Sequence, residues 1–515
     1  MGSTVSRIIT GLKYSSIFAK SAVMQTWDKQ ASRQYLLDSL GRMPGISAKA
    51  AQLLAMRLGD KSTSDPIKIS PMPLSTVKAE IEAHSPALAK EIDEIDEHPL
   101  VASLGQVHAA TLKSGEQVAI KVQFPNLRRG FAENMQLLRD VSSMGPPRKF
   151  RFEMDAIVDY FEQSLLRELD YRIEAESQME ALRLLPPHRS IVIARVFPHY
   201  STETILVQSF EASQSLGEIR ERWPESLRRV AARSLLEYFL NGLFHAQLLH
   251  TDPHPGNFGF REVSPGTQSH GQLAELVLYD FGSMMKLSRH HAAVLWHMME
   301  AMRKNEEIVP FDYLAALGFD AQKLLSAAQR LPSLMDRLLE PYTRDRAFDF
   351  ETWGLKSFFE RVLAEDKWWF RSAGPPWFLM LMRSAQGFIH GIAKLGVPLA
   401  VQDIAQGLEI QLPRQEIPAV LSQLSTGTQA HTGMMARSLF VTVDDPNGEN
   451  IVDMQLPREA VDEIESFIPE DSLAKILAMG VDLESIKSRV QQSGYLPQKL
   501  FETKTDSRSY RVWLE

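Results

Sequence analysis

The stretch Leu249-His250-Thr251-Asp252-Pro253-His254-Pro255-Gly256-Asn257, followed later by Val277-Leu278-Tyr279-Asp280-Phe281-Gly282, decides how this chain reads. An Asp stands five residues before an Asn, and a second Asp closes an apolar run. One amide oxygen and one carboxylate are the hard donors that Mg²⁺ takes, with waters and phosphate oxygens completing its shell. The other Asp is placed to face an acceptor group, and Phe281-Gly282 adds an apolar plug and a flexible joint. Each piece alone has a plainer reading. Pro253 to Gly256 makes a tight turn that Asp252 opens, and Asp-Phe-Gly punctuates a strand end. Their order and spacing, with a suitable lysine upstream, favour a kinase-type site for Mg²⁺ and ATP or ADP.

That lysine is Lys121 in Val118-Ala119-Ile120-Lys121, a strand sequence of the kind that carries a phosphate-binding lysine. It follows Ser103-Leu104-Gly105-Gln106-Val107 by 14 residues, the distance of a strand–loop–strand cap over phosphates. Only Gly105 is present in that loop, which restricts backbone approach compared with G-x-G-x-x-G. Glu168, Asp170 and Glu174 lie on an acidic helical pattern. Positions 170 and 174 share a face there, with 168 rotated by about 200° from 170. Such a run is ordinarily a solvated face. Lys49 and Gln52, three apart on an Ala-rich helix, need no explanation by themselves.

The chain has 515 residues, 44% apolar and 23% charged, enough for about three domain-sized units. A net charge of -8 argues against a nucleic-acid partner, since no basic excess displaces phosphate counterions. With no cysteine, disulfides, thiolate metal sites and thiol catalysis are excluded, which fits a reducing, cytoplasmic setting. No apolar run spans a membrane; the best candidate, Val230 to Leu249, carries Arg233, Glu237, Asn241 and His245. The first 27 residues hold Arg7, Lys13 and Lys20 and no acid, a plain cationic helix or a segment that rests on an anionic membrane surface. The sequence does not fix an oligomeric state.

Periodicity divides the chain into four. Residues 1–92 read as a helical extension, including a helix from Pro73 to Ala83. Residues 93–211 read as a strand-rich lobe. Leu104 to Leu112 and Gln117 to Gln123 form a hairpin there, Ile191 to Val196 and Thr204 to Gln208 a second pair, and Phe152 to Leu184 one long helix between them. Residues 212–435 are mostly helical. Residues 436–515 read as a small α/β module, opened by a hairpin around Asp444-Asp445-Pro446-Asn447-Gly448 and closed by a strand near Ser509 to Leu514.

With these motifs in place, the chain resembles the UbiB/AarF family of atypical protein-kinase-like proteins over residues 30–400. The likeness rests on Lys49-Ala50-Ala51-Gln52 for a K-x-G-Q element, Val101 to His108 for an Ala-rich loop, and Val118 to Lys121. It continues through Glu168-Leu169-Asp170 for E-x-D, His250 to Asn257, and Asp280-Phe281-Gly282. It implies an α+β, two-lobed protein-kinase-like fold, helix-rich, with the N-terminal extension and the C-terminal α/β module added. It implies that Lys121 binds phosphates and pairs with Glu174, that Ala102, Ser103, Gly105 and Gln106 contact the nucleotide, that Asn257 and Asp280 hold Mg²⁺, and that Asp252 is catalytic. Lys49 and Gln52 would form a lid meeting Glu168 and Asp170 where a protein kinase receives its peptide. The sequence adds its own support: Asp280-Phe281-Gly282 runs into a helical pattern at Arg289 with no activation segment and no A-P-E. Ala51 stands where the family has Gly, and Leu100 and Val101 stand where it has small residues.

The implied function is a Mg-dependent ATPase or kinase serving isoprenoid-quinone or lipid metabolism, with a lipid, a quinone precursor or a membrane surface as partner. A small-molecule phosphotransferase of the aminoglycoside or choline type shares H-x-D and the Asn five residues on. A nucleotide-sensing scaffold without catalysis is the third reading.

Overall fold

The computed structural model describes residues 71–102, 104–125, 127, 162–163, 165–186, 190–263, 274–363, 370, 372–412, 436, 438–445, 450–468, 470–492, 498–504 and 508–514. These fall into two compact units. One comprises the described residues of Met1–Leu287, Arg346–Thr352 and Pro376–Ile410; the other those of Ser288–Asp345, Trp353–Pro375 and Gln411–Glu515.

Among the described residues the first unit opens with helices α1 (Leu74–His84) and α2 (Pro86–Glu91). Its strands are β1 (Ile92–Ile95), β2 (Leu100–Val101), β3 (Gly105–Leu112), β4 (Gln117–Gln123), β5 (Ile191–Ile193), β6 (Ile205–Ser209), β7 (Leu248–His250), β8 (Phe258–Glu262), β9 (Ala274–Leu278) and β10 (Met284–Lys286). Helices α3 (Tyr171–Leu184), α4 (Glu225–Asn241) and α5 (Pro376–Leu395) complete the frame around the site. The hairpin of β3 and β4 is in register with Val107 opposite Lys121. It turns at Gly115, whose φ of 82° is the left-handed region that glycine occupies without a Cβ penalty. β1 and β2 pair with β3, and β6 with β4, all antiparallel.

Alternation along the strands then sorts the side chains. Ala110, Leu112, Val118, Ile120 and Val122 face Val77, Ile81 and Leu88 of α1 and α2 in one buried core. The apolar positions 77 and 81 share one helical face by their spacing, so α1 closes the outer side of this sheet. Lys121 is left on the inner side.

Two expected elements take a different form. The helical pattern of Phe152 to Leu184 is not continuous where it is described: α3 starts afresh at Tyr171, with Asp170 as its N-cap accepting from Arg172 N at 3.1 Å. An Asp that satisfies an exposed helix N–H favours a new start over continuation. The expected second strand pair splits. Residues 195–197 do meet β6, through Ser209 N–H to Arg195 O and Phe197 N–H to Val207 O, both 2.8 Å. β5 itself runs parallel to β9.

In the second unit, helices Arg289–Arg303, Pro310–Ala316, Leu331–Thr343 and Leu355–Leu363 are followed by β11 (Ser438–Asp444), β12 (Asn450–Pro457), β13 (Gln498–Lys504) and β14 (Ser509–Leu514). These four strands form an antiparallel sheet in the order β12-β11-β14-β13. Leu439, Val441, Val443, Val512 and Leu514 pack on Ile476, Leu483, Ile486 and Val490 from two helices. The hairpin and the last strand match the sequence reading. The edge strand β13 is the addition: Lys499, Glu502 and Lys504 are exposed and mask its alternation. Among the described residues no helix is long and apolar enough to cross a membrane.

Candidate active site

Lys121 projects from the inner face of β4 to Glu174, one turn into α3. Its Nζ donates to Glu174 Oε1 and Oε2 at 2.8 and 2.9 Å, and to Asp280 Oδ2 at 2.8 Å. Glu174 is buried, and its Oε1 also accepts the Phe281 N–H at 3.3 Å. One cation between two carboxylates leaves an excess of negative charge in a poorly solvated place. Burial accordingly pushes the Glu174 carboxyl up to about 7, with Lys121 pulling it down and Asp280 adding to the rise. Lys121 holds its proton well above the ordinary lysine range because Asp280 and Glu174 outweigh its burial.

The loop after β7 is fixed by its own backbone and by β10. Thr251 donates its N–H to Ser283 O at 2.8 Å, as β10 pairs with β7. The buried His250 ring joins the two aspartates: Nδ1 accepts the Asp252 N–H at 3.2 Å, which makes Nε2 the donor to Asp280 O at 3.0 Å. Burial lowers the His250 value, in keeping with this neutral form. Asn257 Nδ2 donates to Asp252 O at 2.8 Å, which leaves the amide oxygen as the end that can meet a cation. Gly282 N–H caps Asp280 Oδ1 at 3.2 Å, and Phe281 is fully buried.

Asp252, Asn257 and Asp280 are therefore brought together, with Lys121 and Glu174 tied to Asp280. Two further residues belong here that the motif reading did not single out. His250 stands inside the motif that ends at Asn257, but the motif chemistry gives it no role of its own. Arg383 on α5, whose Nη2 lies 2.6 Å from Asp252 Oδ1, carried no local signal at all.

Gly105 sits at the start of β3, where a Cβ would meet Val122 O at 2.3 Å and the Tyr171 hydroxyl at 2.9 Å. Ala102 N–H donates to Gly105 O at 2.8 Å, closing a tight loop. Gln106 is a correction. Strand alternation turns it to the other side of the sheet from Lys121, where it is fully buried and its Oε1 accepts from Met72 N at 2.7 Å. Its side chain is thus a clamp on residue 72 and not a nucleotide ligand. Glu168 is buried, and Asp170 accepts from Arg172 Nε and Nη2 at 2.9 and 2.6 Å. Lys49, Gln52 and Ser103, like the basic segment at the N-terminus, lie outside the described residues.

The residues present fit a magnesium nucleotide. A divalent cation at Asp280 would offset the excess acid around Lys121, and one carboxylate plus one amide oxygen is a donor set that suits Mg²⁺. Tyr171 Oη, buried beside Gly105, has no hydrogen-bond partner among the described residues, so a donor stands at the loop expected to cover phosphates.

A strand lysine paired with a helix glutamate, set over a loop that joins the two aspartates, is the frame of an α+β protein-kinase-like fold. Residues 67–309 match the ABC1 atypical kinase-like domain, and over that domain the chain is similar to aarF-type atypical kinases. It is 34% identical over 195 residues to an uncharacterised aarF domain-containing protein kinase of the Arabidopsis thaliana chloroplast, covering 37% of this chain and 26% of that protein. It is 25% identical over 302 residues to the mitochondrial atypical kinase coq-8 of Caenorhabditis elegans, covering 56% and 39%. The chain thus spans well under two thirds of the length of these relatives. Among solved structures, that of Rv3197 with erythromycin from Mycobacterium tuberculosis aligns with a TM-score of 0.50 at 18% identity, covering 76% of this chain and 98% of that one, a likeness of fold.

Proposed function

We propose that the chain is a Mg-dependent, ATP-binding atypical kinase or ATPase of the UbiB type, supporting isoprenoid-quinone or lipid metabolism and not phosphorylating proteins in trans. The observation that carries this reading is Lys121 Nζ at 2.8 Å from both Glu174 Oε1 and Asp280 Oδ2. Lys121 meets the nucleotide phosphates while Glu174 holds it in place, and the backbone around Gly105 covers them. Asp280 and Asn257 Oδ1 are the metal donors. Bound Mg²⁺ neutralises charge on the phosphoryl oxygens. Asp252 takes the proton of the acceptor, a water or a hydroxyl, as its oxygen bonds to the γ-phosphorus and the bond to the β,γ-bridging oxygen breaks, releasing ADP. The lid of Lys49 and Gln52 against Glu168 and Asp170 belongs to the same proposal. The resemblance to UbiB/AarF proteins is what supports the quinone or lipid role, and the helix starting at Arg289, seven residues after Gly282, gives little length for a peptide-docking segment.

The test is phosphate release from Mg-ATP by the full chain, with and without detergent-solubilised lipid or a phenolic quinone precursor, alongside melting with ATP in Mg²⁺ or in chelator. A Mg-dependent rise in melting temperature and turnover raised by the lipid or phenol support the proposal. No response to Mg-ATP removes the nucleotide site. Turnover raised only by an aminoglycoside or choline would favour the small-molecule phosphotransferase, and binding without turnover the scaffold.

A further inference from the structure

One face of α5 is shaped to the loop that carries Asp252. Positions 383, 387 and 391 form a stripe four residues apart, with Ser384 beside it. Arg383 Nη2 lies 2.6 Å from Asp252 Oδ1, and Ser384 Oγ donates to His250 O at 2.7 Å. At Gly387 a Cβ would stand 2.4 Å from Pro253 Cγ, so only glycine lets the helix come this close. Gly391 faces Leu235 of α4 and Phe258 of β8, which seats the helix on the scaffold that the loop grows from. His250, Asp252 and Pro253 are thus each met by a different α5 side chain or gap.

Arg383 is the residue of this stripe with chemistry to offer. Its side chain is 11% exposed and that of Asp252 20%, so the pair is mostly withdrawn from water. A guanidinium so placed is tolerated when its donors are met, and its planar fork fixes a carboxylate in direction as well as in charge. Asp252 itself sits on a Pro-flanked turn where the backbone is held by His250 and Asn257. Arg383 lies beyond residue 309, where the match to the kinase-like domain ends.

We propose that Arg383 is a positioning residue for Asp252: it holds the carboxylate in the direction from which it takes the acceptor proton, so that α5 completes the active site from outside the matched domain. The inference rests on the catalytic reading of Asp252 above. A reacting group misplaced by about 1 Å loses on the order of a hundredfold in rate, which is the leverage an orienting arginine has.

The test uses the full chain with Mg-ATP. Arg383→Gln should lower kcat for phosphate release by about tenfold or more while KM and nucleotide affinity stay within about twofold. Arg383→Lys, which keeps the charge and loses the fork, should fall between Arg383→Gln and wild type. In an Asp252→Asn background, Arg383→Gln should cost nothing further, because the residue acts through Asp252. A merely structural role would lower the melting temperature without splitting kcat from KM. If Arg383→Gln does not fold, Arg383→Lys decides: reduced kcat at unchanged KM supports the proposal and wild-type kcat overturns it. Asp252→Asn without turnover beside Arg383→Gln with full turnover, or losses that multiply in the double variant, also overturn it. Wild-type turnover in Asp252→Asn would instead sink the catalytic reading of Asp252 itself.

Discussion

Glu174 receives Lys121 on both carboxylate oxygens, at 2.8 and 2.9 Å, and on one of them also accepts the backbone N–H of Phe281 at 3.3 Å. A single side chain on α3 thereby joins the strand that carries the lysine to the turn that carries Asp280. The same arrangement explains why the glutamate is uneasy as an anion: it is buried, and a second carboxylate shares its cation.

Stability should therefore depend on pH through Glu174. Its carboxyl lies at about 7 in the fold against an ordinary 4.5. A group raised on folding stabilises the fold below the ordinary value and loses that contribution as pH rises through the raised one. His250 acts in the opposite sense: burial lowers it from 6.5, so its contribution is present above 6.5 and lost as pH falls. Comparing wild type with Glu174→Gln separates the two. Without nucleotide, the advantage of wild type in melting temperature should shrink between about pH 4.5 and 7. Parallel curves would mean that Glu174 titrates as an ordinary carboxyl.

Asp280→Asn should abolish the Mg-dependent part of nucleotide binding, since a neutral amide does not supply the charge that offsets Mg²⁺ dehydration. It also weakens the hold on Lys121, which Asp280 Oδ2 meets at 2.8 Å. At a ligand concentration about a hundred times Kd, wild type gains about 2.7 kcal/mol on Mg-ATP binding, and the variant should show little of this in a melting titration. An unchanged Mg-ATP shift removes Asp280 from the site.

The pairing of Lys121 with Glu174 was legible through the motifs that carry the resemblance, whereas the second contact of Lys121, with Asp280, was not among the expectations. Nor was Arg383, since it reaches Asp252 across 131 residues from a helix whose only visible signal is an apolar face. Gln106 was misread although the means to place it were present. The Lys113 to Glu116 turn sets Val107 opposite Lys121, and alternation then sends Gln106 to the other face. The restart at Asp170 was hidden because apolar spacing runs on through a residue that is itself an N-cap signal.

Gly105→Ala should destabilise the first unit. The added carbon would lie 2.3 Å from Val122 O, a backbone atom in the paired strand, and 2.9 Å from the Tyr171 hydroxyl. Overpacking of this kind costs about 1–3 kcal/mol. Because the backbone contact is the closer one, Tyr171→Phe should not restore the melting temperature of Gly105→Ala. Full restoration would show that the hydroxyl alone limits the space.

The last prediction sets two glycine substitutions against each other. Alanine is better than glycine in a helix by about 1 kcal/mol, so Gly→Ala within a helix stabilises wherever there is room. At Gly407, the last residue of the helix Val401–Gly407, nothing lies within 4 Å of the added carbon. At Gly387 it would meet Pro253 Cγ at 2.4 Å, Cδ at 3.1 Å and O at 3.2 Å, a rigid ring and a backbone atom that cannot swing aside. Overpacking of about 1–3 kcal/mol then exceeds the propensity gain. The strain falls on Pro253, next to Asp252, whereas Lys121, Glu174 and Asp280 are not touched. Gly387→Ala should accordingly melt below wild type and release phosphate more slowly with nucleotide affinity kept, while Gly407→Ala should melt at or slightly above wild type with normal turnover. If Gly387→Ala matches Gly407→Ala in both melting and turnover, α5 does not bear on the Asp252 loop as closely as the structure places it.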